Sequence, residues 1–267
     1  MSGGRRSLLA WPALAYLAVL FLVPVGIVLG CSVLARDFRG GVEARILFDA
    51  WRQAVDARTL WALGRTLVLA GGVTLLNLMI GYPCAAALAR LPAGWRKSLV
   101  FVFCFPLVTS LLLRTYGWMN LLPLAWQGTL WAVGLVLTFN YLPFMVLPLL
   151  RAFERADPAL HLAALDLGAT PWQAFWRVTW PITRSGMWAG AALVFVPVTG
   201  EYLAPHFIGQ GKVTLMGTLI WKEFDGRNWP YAAACSAWLV GLVLLGMLLS
   251  LRGSSLEPSE KRRGGDA

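Results

Sequence analysis

Six stretches of the chain, residues 8–34, 60–81, 98–113, 129–150, 185–208 and 231–251, are apolar over most of their length. An α-helix needs about 20 mainly apolar residues to cross the hydrocarbon core of a bilayer. The six runs therefore constrain the fold more than any other feature. Composition agrees: 58% of the 267 residues are hydrophobic and 13% are charged, the latter about half the share of a soluble domain. The sequence predicts an all-α polytopic membrane protein with six transmembrane helices, forming one domain over residues 1–251. The tail 252–267 is polar and rich in glycine and serine, and is expected to be disordered.

The first run follows Arg5 and Arg6, and Val28 to Cys31 (VLGC) loosely resembles a lipoprotein cleavage site. Signal-peptide cores are only about 7–15 residues long, so the longer run 8–34 reads as a retained first span. The net charge of +10 raises nucleic acid as a ligand. A nucleic-acid binder, however, gathers its basic residues on a soluble face, and here they lie mostly in short segments between apolar runs. They read as topology signals and contacts with the anionic headgroups of a lipid bilayer, with no nucleic-acid partner. With the N-terminus inside, the inner segments hold 13 Lys and Arg and the outer segments 9, which orients both termini to the cytoplasm. The outer segment 35–58 mixes both charge signs and is expected to form a short surface helix or a structured loop. Cys31, Cys84, Cys104 and Cys235 lie in or beside apolar runs without a CxxC pair, which suits packing residues better than a metal or disulfide framework.

The segment 151–184 is too elaborate for a simple connector. Asp157 and Pro158 read as an N-cap followed by proline at the first helical position. That helix is expected to run to about Leu167, with Gly168 in the left-handed conformation that stops it. Thr170 and Gln173 have capping-box spacing for a second helix, which Pro181 ends or kinks. Trp172, Phe175, Trp176 and Thr179 share one face of it. Such a unit is either a rigid bent element to which Ala163 and Ala164 admit a partner, or a helical hairpin lying on the membrane surface.

The stretch LAALDLGATPWQAFWRVTWP resembles the EAA loop of ABC-importer permeases, whose pattern is Glu-Ala-Ala, three residues, Gly, nine residues, Ile-x-Leu-Pro. Ala163, Ala164, Gly168 and Pro181 fall in register, and Leu162 stands where the family has Glu. GYPCAAALARLP (81–92), LLLRTYGWMNLL (111–122), YLPFMVLPL (141–149) and VFVPVTGEYLAPHFIGQG (194–211) are similar to spermidine/putrescine permeases, and among these to the first of the two permeases. Relatives carry a longer outer segment between the positions of Trp118 and Tyr141. The resemblance implies a type I ABC-importer permease architecture, with the loop as a cytoplasmic coupling helix docked on an ATPase through Ala163, Ala164, Asp166, Gly168 and Pro181. It also implies four partners: a second permease subunit, an ABC ATPase dimer, an extracytoplasmic substrate-binding protein and a polyamine substrate.

The chain holds no G-x-x-x-x-G-K-[ST] phosphate loop, so it is expected to bind no cofactor, with ATP and Mg²⁺ held by the partner ATPase. Neither His161 nor His206 belongs to a recognisable triad, and no metal spacing appears; the chain reads as a transport subunit with no catalytic residue of its own. Alternating access needs bending points, for which Pro143, Pro148, Pro197, Gly200 and Pro205 are candidates, as they also are for static kinks.

Glu201 is the only acidic residue that interrupts an apolar run. A charge at a helix centre costs roughly 2.5–3.5 kcal/mol on insertion scales. Glu201 lies 16 residues after Ser185, or about 24 Å along a helix, towards the outer side. For a polyamine, one carboxylate with aromatic faces supplies charge-assisted hydrogen bonds and cation–π contacts. The candidate pathway residues are Glu201, Tyr202, Tyr116 and Trp118. The rival role for Glu201 is a salt bridge to Arg114, and for the two outer aromatics a place in an interfacial belt. Permeases for sulfate, ferric iron or aminoethylphosphonate share the EAA loop; a secondary carrier is the alternative from another class and would not need it.

Overall fold

The computed structural model describes residues 3–37, 40–156 and 158–254. The predicted N-cap Asp157 and residues 255–267 of the predicted disordered tail 252–267 lie outside the described residues, while Arg252, Gly253 and Ser254 continue the last helix. The helices in chain order begin with α1 (Gly3–Ser32), α2 (Asp49–Ala54), α3 (Ala57–Arg90) and α4 (Ala93–Val108). They continue with α5 (Leu111–Leu121), α6 (Leu130–Arg155), α7 (Pro158–Asp166) and α8 (Pro171–Ala174). A π-helical turn, Phe175–Thr179, leads into α9 (Trp180–Thr199), followed by α10 (Leu203–Phe207), α11 (Met216–Asp225) and α12 (Trp229–Ser254). Two short strands, β1 (Leu34–Arg36) and β2 (Val42–Ile46), pair antiparallel between α1 and α2.

Among the described residues, four helical stretches are long and apolar enough to cross a membrane: Ala15–Ser32, Ala57–Arg90, Leu130–Arg155 and Trp229–Gly246. The pair α4–α5 makes a fifth if one span can bend by 93°. The expected six are thus four or five by this measure. The predicted run 98–113 is broken at Thr109 and Ser110, which take extended ψ values of 149° and 130°. The predicted run 185–208 lies in α9 and α10, and is interrupted at Gly200 and Glu201.

The chain divides into two compact units, residues 1–61 with 219–267, and residues 62–218. In the first, α1 packs against α12, and the β1–β2 hairpin turns through Gly40 and Gly41, both at positive φ. The expected short surface helix or structured loop over 35–58 thus takes the form of a hairpin followed by the short helix α2 and the start of α3. Thr59 donates to the Gln53 carbonyl at 3.2 Å, so the Tyr231 hydroxyl, 2.6 Å away, donates to Thr59 Oγ1.

The second unit is built around α6 and α9. Gly186 faces Pro148, Leu149 and Ala152, while Gly190 faces Met145, so the two helices run antiparallel. A Cβ on Gly186 would lie 2.6 Å from the Ala152 Cβ and 2.8 Å from the Pro148 carbonyl oxygen. Lipid tails are as apolar as leucine, so such helices associate through close backbone approach at small residues more than through a hydrophobic force. Leu137, Met145, Leu149 and Val194 are fully buried here. Helix α3 joins them through Leu69 and Val73 beside Gly134, and through Gly81 against Met145 and Val146. These pairings rise together along both helices, so α3 and α6 are parallel.

Candidate functional site

Helix α9 stops at Thr199 because Gly200 leaves the helical region, at φ −94° and ψ 0°. Glu201 sits in this break and not within a helix. Its backbone is clamped by α11, since a Cβ on Gly217 would lie 2.5 Å from the Glu201 carbonyl oxygen. Glu201 is 8% exposed. Oε1 accepts from the Leu203 amide at 2.9 Å, satisfying an N–H that the first turn of α10 leaves without a helical partner. Oε2 accepts from the Tyr141 hydroxyl at 2.8 Å. Each oxygen thus uses one acceptor direction, and a carboxylate offers about four.

Tyr141 lies midway along α6, and Arg114 is its electrostatic neighbour. Among the described residues, Arg114 Nε and Nη1 are buried without a hydrogen-bond partner. Among the described residues Glu201 makes no ion pair with Arg114; salt bridges elsewhere join Glu154 to Arg96 and Arg151. The carboxylate is therefore held by a phenol and a backbone amide. Sequence reasoning missed Tyr141, although its hydroxyl in the apolar stretch YLPFMVLPL was a visible signal.

The other predicted pathway residues are distributed around this centre. Tyr202 follows Glu201 directly and is 39% exposed. Tyr116 packs on Phe207 of α10 with ring centroids 4.8 Å apart, which brings α5 to the element that begins two residues after Glu201. Trp118 packs edge-on against Phe139 at 5.1 Å. Phe139 and Tyr141 point about 200° apart around α6, so Trp118 lies on another side of that helix. The turn between α5 and α6 anchors the far end of the Glu201 segment. There Gln127 donates to the Met119 and Leu122 carbonyls and accepts from Gln210 at 2.6 Å, while the Gly128 amide donates to the Ile208 carbonyl.

The second predicted site also has definite geometry. Helix α7 ends at Asp166, and Gly168 takes φ +86° with its amide donating to the Leu165 carbonyl. The Thr170–Gln173 capping box forms reciprocally, at 3.0 and 3.3 Å. Ala163, Asp166 and Gly168 are exposed and Ala164 is half-buried. Leu167 and Trp172 face outward at 89% and 69% exposure. Pro181 does not end the second helix, since the chain stays helical through it into α9. The chain widens into the π turn just before it, which places Pro181 in the first turn of α9, where no N–H is required. Trp172, Phe175, Trp176 and Trp180 form a continuous chain of ring contacts along this stretch.

Among the described residues no group of three or more His, Cys, Asp or Glu is placed to hold a metal ion. Residues 9–254 match the family of the binding-protein-dependent transport system inner membrane component. The spermidine/putrescine transport system permease protein PotB of Haemophilus influenzae is 32% identical over 261 residues, 91% of each chain. A bacterial ABC transporter involved in the import of the acidic polysaccharide alginate has a chain with the same fold, at TM-score 0.67 and 19% identity, covering 94% of this chain and 96% of that one. The alginate transporter in complex with its pentasaccharide-bound periplasmic protein gives a TM-score of 0.66 at 18% identity, over 92% and 93% of the two chains.

Proposed function

The chain belongs to the binding-protein-dependent transport system inner membrane components, and we propose that within that family it is the first permease of an ATP-driven polyamine importer. Membership makes it a multi-pass inner-membrane permease, a transport subunit and not an enzyme. The finer assignments are that it contributes half of a pathway for spermidine or putrescine and has both termini in the cytoplasm. It works with a second permease, an ABC ATPase dimer and a polyamine-binding protein outside. The ATPase binds ATP and Mg²⁺, and α7 with Ala163, Ala164, Asp166, Gly168 and Pro181 docks on it.

One observation carries the substrate reading: a buried carboxylate, Glu201, fixed by Tyr141 and the Leu203 amide with acceptor capacity to spare. An ammonium group released by the binding protein meets a pre-oriented anion. It then needs no side-chain rearrangement to form a charge-assisted hydrogen bond. Tyr202 and Tyr116 offer ring faces for the methylene chain and the next ammonium. A single carboxylate holds one end of a polycation weakly enough for passage. An anion importer has no use for such a group, and the match to the PotB permease points the same way.

The test is reconstitution of this chain with its second permease, ATPase and binding protein in proteoliposomes. Labelled spermidine or putrescine should accumulate in an ATP-dependent manner and raise ATP hydrolysis, while sulfate should do neither. Uptake of sulfate, or of neither polyamine, would refute the assignment.

A further inference from the structure

Tyr82 occupies a position that neither candidate site uses. It sits on α3 between Gly81, which presses onto Met145 and Val146 of α6, and Pro83. Its ring meets Phe153 at the end of α6 edge-on at 5.1 Å, Phe175 of the π turn at 5.9 Å and Trp180 of α9 at 6.0 Å. Its hydroxyl is 3.0 Å from Thr183 Oγ1. Thr183 is fully buried, and its hydroxyl donates to the Thr179 carbonyl at 2.9 Å. A threonine hydroxyl has one proton, so Tyr82 must be the donor to Thr183. One side chain thus touches the end of α6, the π turn and the first turn of α9, and reaches a π-turn carbonyl through Thr183.

The stretch 171–199 is helical without a break, from α8 through the π turn into α9. Any displacement of the exposed Gly168 bend is carried along it as along a rod. Isolated π turns inside α-helices recur at functional sites. Pro83 removes the bond to the Met79 carbonyl and weakens α3 one residue beyond Tyr82. A continuous helix carrying a π turn is therefore joined by one aromatic side chain to a helix weakened beside it.

We propose that Tyr82 is the pin that passes movement of the α7–α8 loop into α3. It is a positioning residue, contacting neither nucleotide nor solute. The inference rests on the permease reading and adds the route by which ATPase movement reaches the core. Ring packing transmits the movement, and the Thr183 hydrogen bond only sets the ring's orientation.

The test uses the complete reconstituted transporter and the ratio of solute taken up to ATP hydrolysed. Tyr82→Ala should assemble and hydrolyse ATP, with that ratio reduced by roughly tenfold, inside the range usual for coupling between two sites. Tyr82→Phe, which keeps the ring, should stay within about twofold of the parent, since a single neutral hydrogen bond contributes little net energy. Tyr82→Leu fills the site without a ring; it should assemble, show the same roughly tenfold lower ratio, and stand in for the alanine variant if that variant does not assemble. In parallel, hydrogen exchange of the assembled complex is followed as ATP is added. In the parent, nucleotide should change protection in both residues 158–180 and α3; in Tyr82→Leu it should change only the former. An unchanged ratio, a proportional fall of uptake and hydrolysis, or an α3 response retained in Tyr82→Leu would each overturn the pin. If the parent hydrolyses ATP but takes up no polyamine, the substrate reading fails, and the exchange measurement still decides the role of Tyr82.

Discussion

Replacing Glu201 by Gln separates the two uses a buried carboxylate can have. Gln keeps a carbonyl oxygen where Oε1 accepts from Leu203 at 2.9 Å, and puts an NH₂ group where Oε2 faces Tyr141 at 2.8 Å. A phenol both donates and accepts, so the Tyr141 contact can reverse and survive. Shape is also retained, which matters because Gly217 presses on the Glu201 backbone. What disappears is the charge, and with it a charge-assisted bond to a passing ammonium, worth about 1.5–3 kcal/mol. At about 1.4 kcal/mol per tenfold, the efficiency of spermidine uptake should fall roughly 10- to 100-fold.

The assay is initial uptake into proteoliposomes against substrate-loaded binding protein, with assembly checked by size-exclusion chromatography. Basal ATP hydrolysis should be unchanged, because the substitution keeps the side chain's shape and lies outside the 158–181 element proposed to dock on the ATPase. Uptake within about twofold of the parent would refute the reasoning: the carboxylate would then be a structural cap for the broken helix. Loss of assembly would also count against it, because it would show that the negative charge itself holds the fold.

Three further outcomes follow from the same geometry. Tyr141→Phe removes one neutral-to-charged hydrogen bond and leaves the carboxylate held by the Leu203 amide alone, so uptake should drop roughly 3- to 10-fold with assembly intact; an effect as large as that of Glu201→Gln would make Tyr141 a substrate ligand in its own right. Gly186→Ala forces a methyl group to within 2.6 Å of the Ala152 Cβ and should destabilise the unit by about 1–3 kcal/mol, seen as a lower midpoint in detergent thermal-unfolding scans. Gly168→Ala imposes a left-handed conformation on a side-chain-bearing residue, at a cost of about 1–2 kcal/mol; it should reduce substrate-stimulated ATP hydrolysis more than basal hydrolysis, and an equal effect on both would argue against a role for the bend in coupling.

Features set by neighbours in the chain were legible in the sequence. The Gly168 stop and the Thr170–Gln173 capping box depend on residues at most a few positions apart, and both occur as expected. Features set by distant contacts were not. Tyr141 and Glu201 are 60 residues apart, and no local pattern pairs them. The break at Thr109 and Ser110 lies inside an apolar run whose hydropathy is that of a continuous span. The hairpin at 34–46 hides in a segment whose mixed charges suit a solvated helix as well as a strand, and only Gly40-Gly41 marks its turn. Pro181 misled because a proline inside a helical pattern normally signals an end; the π turn before it supplies a way to continue that residue spacing does not reveal.

The same distinction explains why Glu201 is tolerated. Treated as a charge within a span, it carries only a cost, because every nearby N–H is already bonded along the helix. The structure instead puts it where α9 has ended and α10 has not yet closed its first turn, so unpaired amides are at hand. The Leu203 N–H needs an acceptor, and the carboxylate needs a donor; each satisfies the other at 2.9 Å. The break and the charge therefore stabilise one another. Gly200 supplies the break, Gly217 admits the displaced backbone, and Tyr141 takes the second oxygen. A carboxylate satisfied this way needs no arginine partner, and its remaining lone pairs are available to a cation from outside.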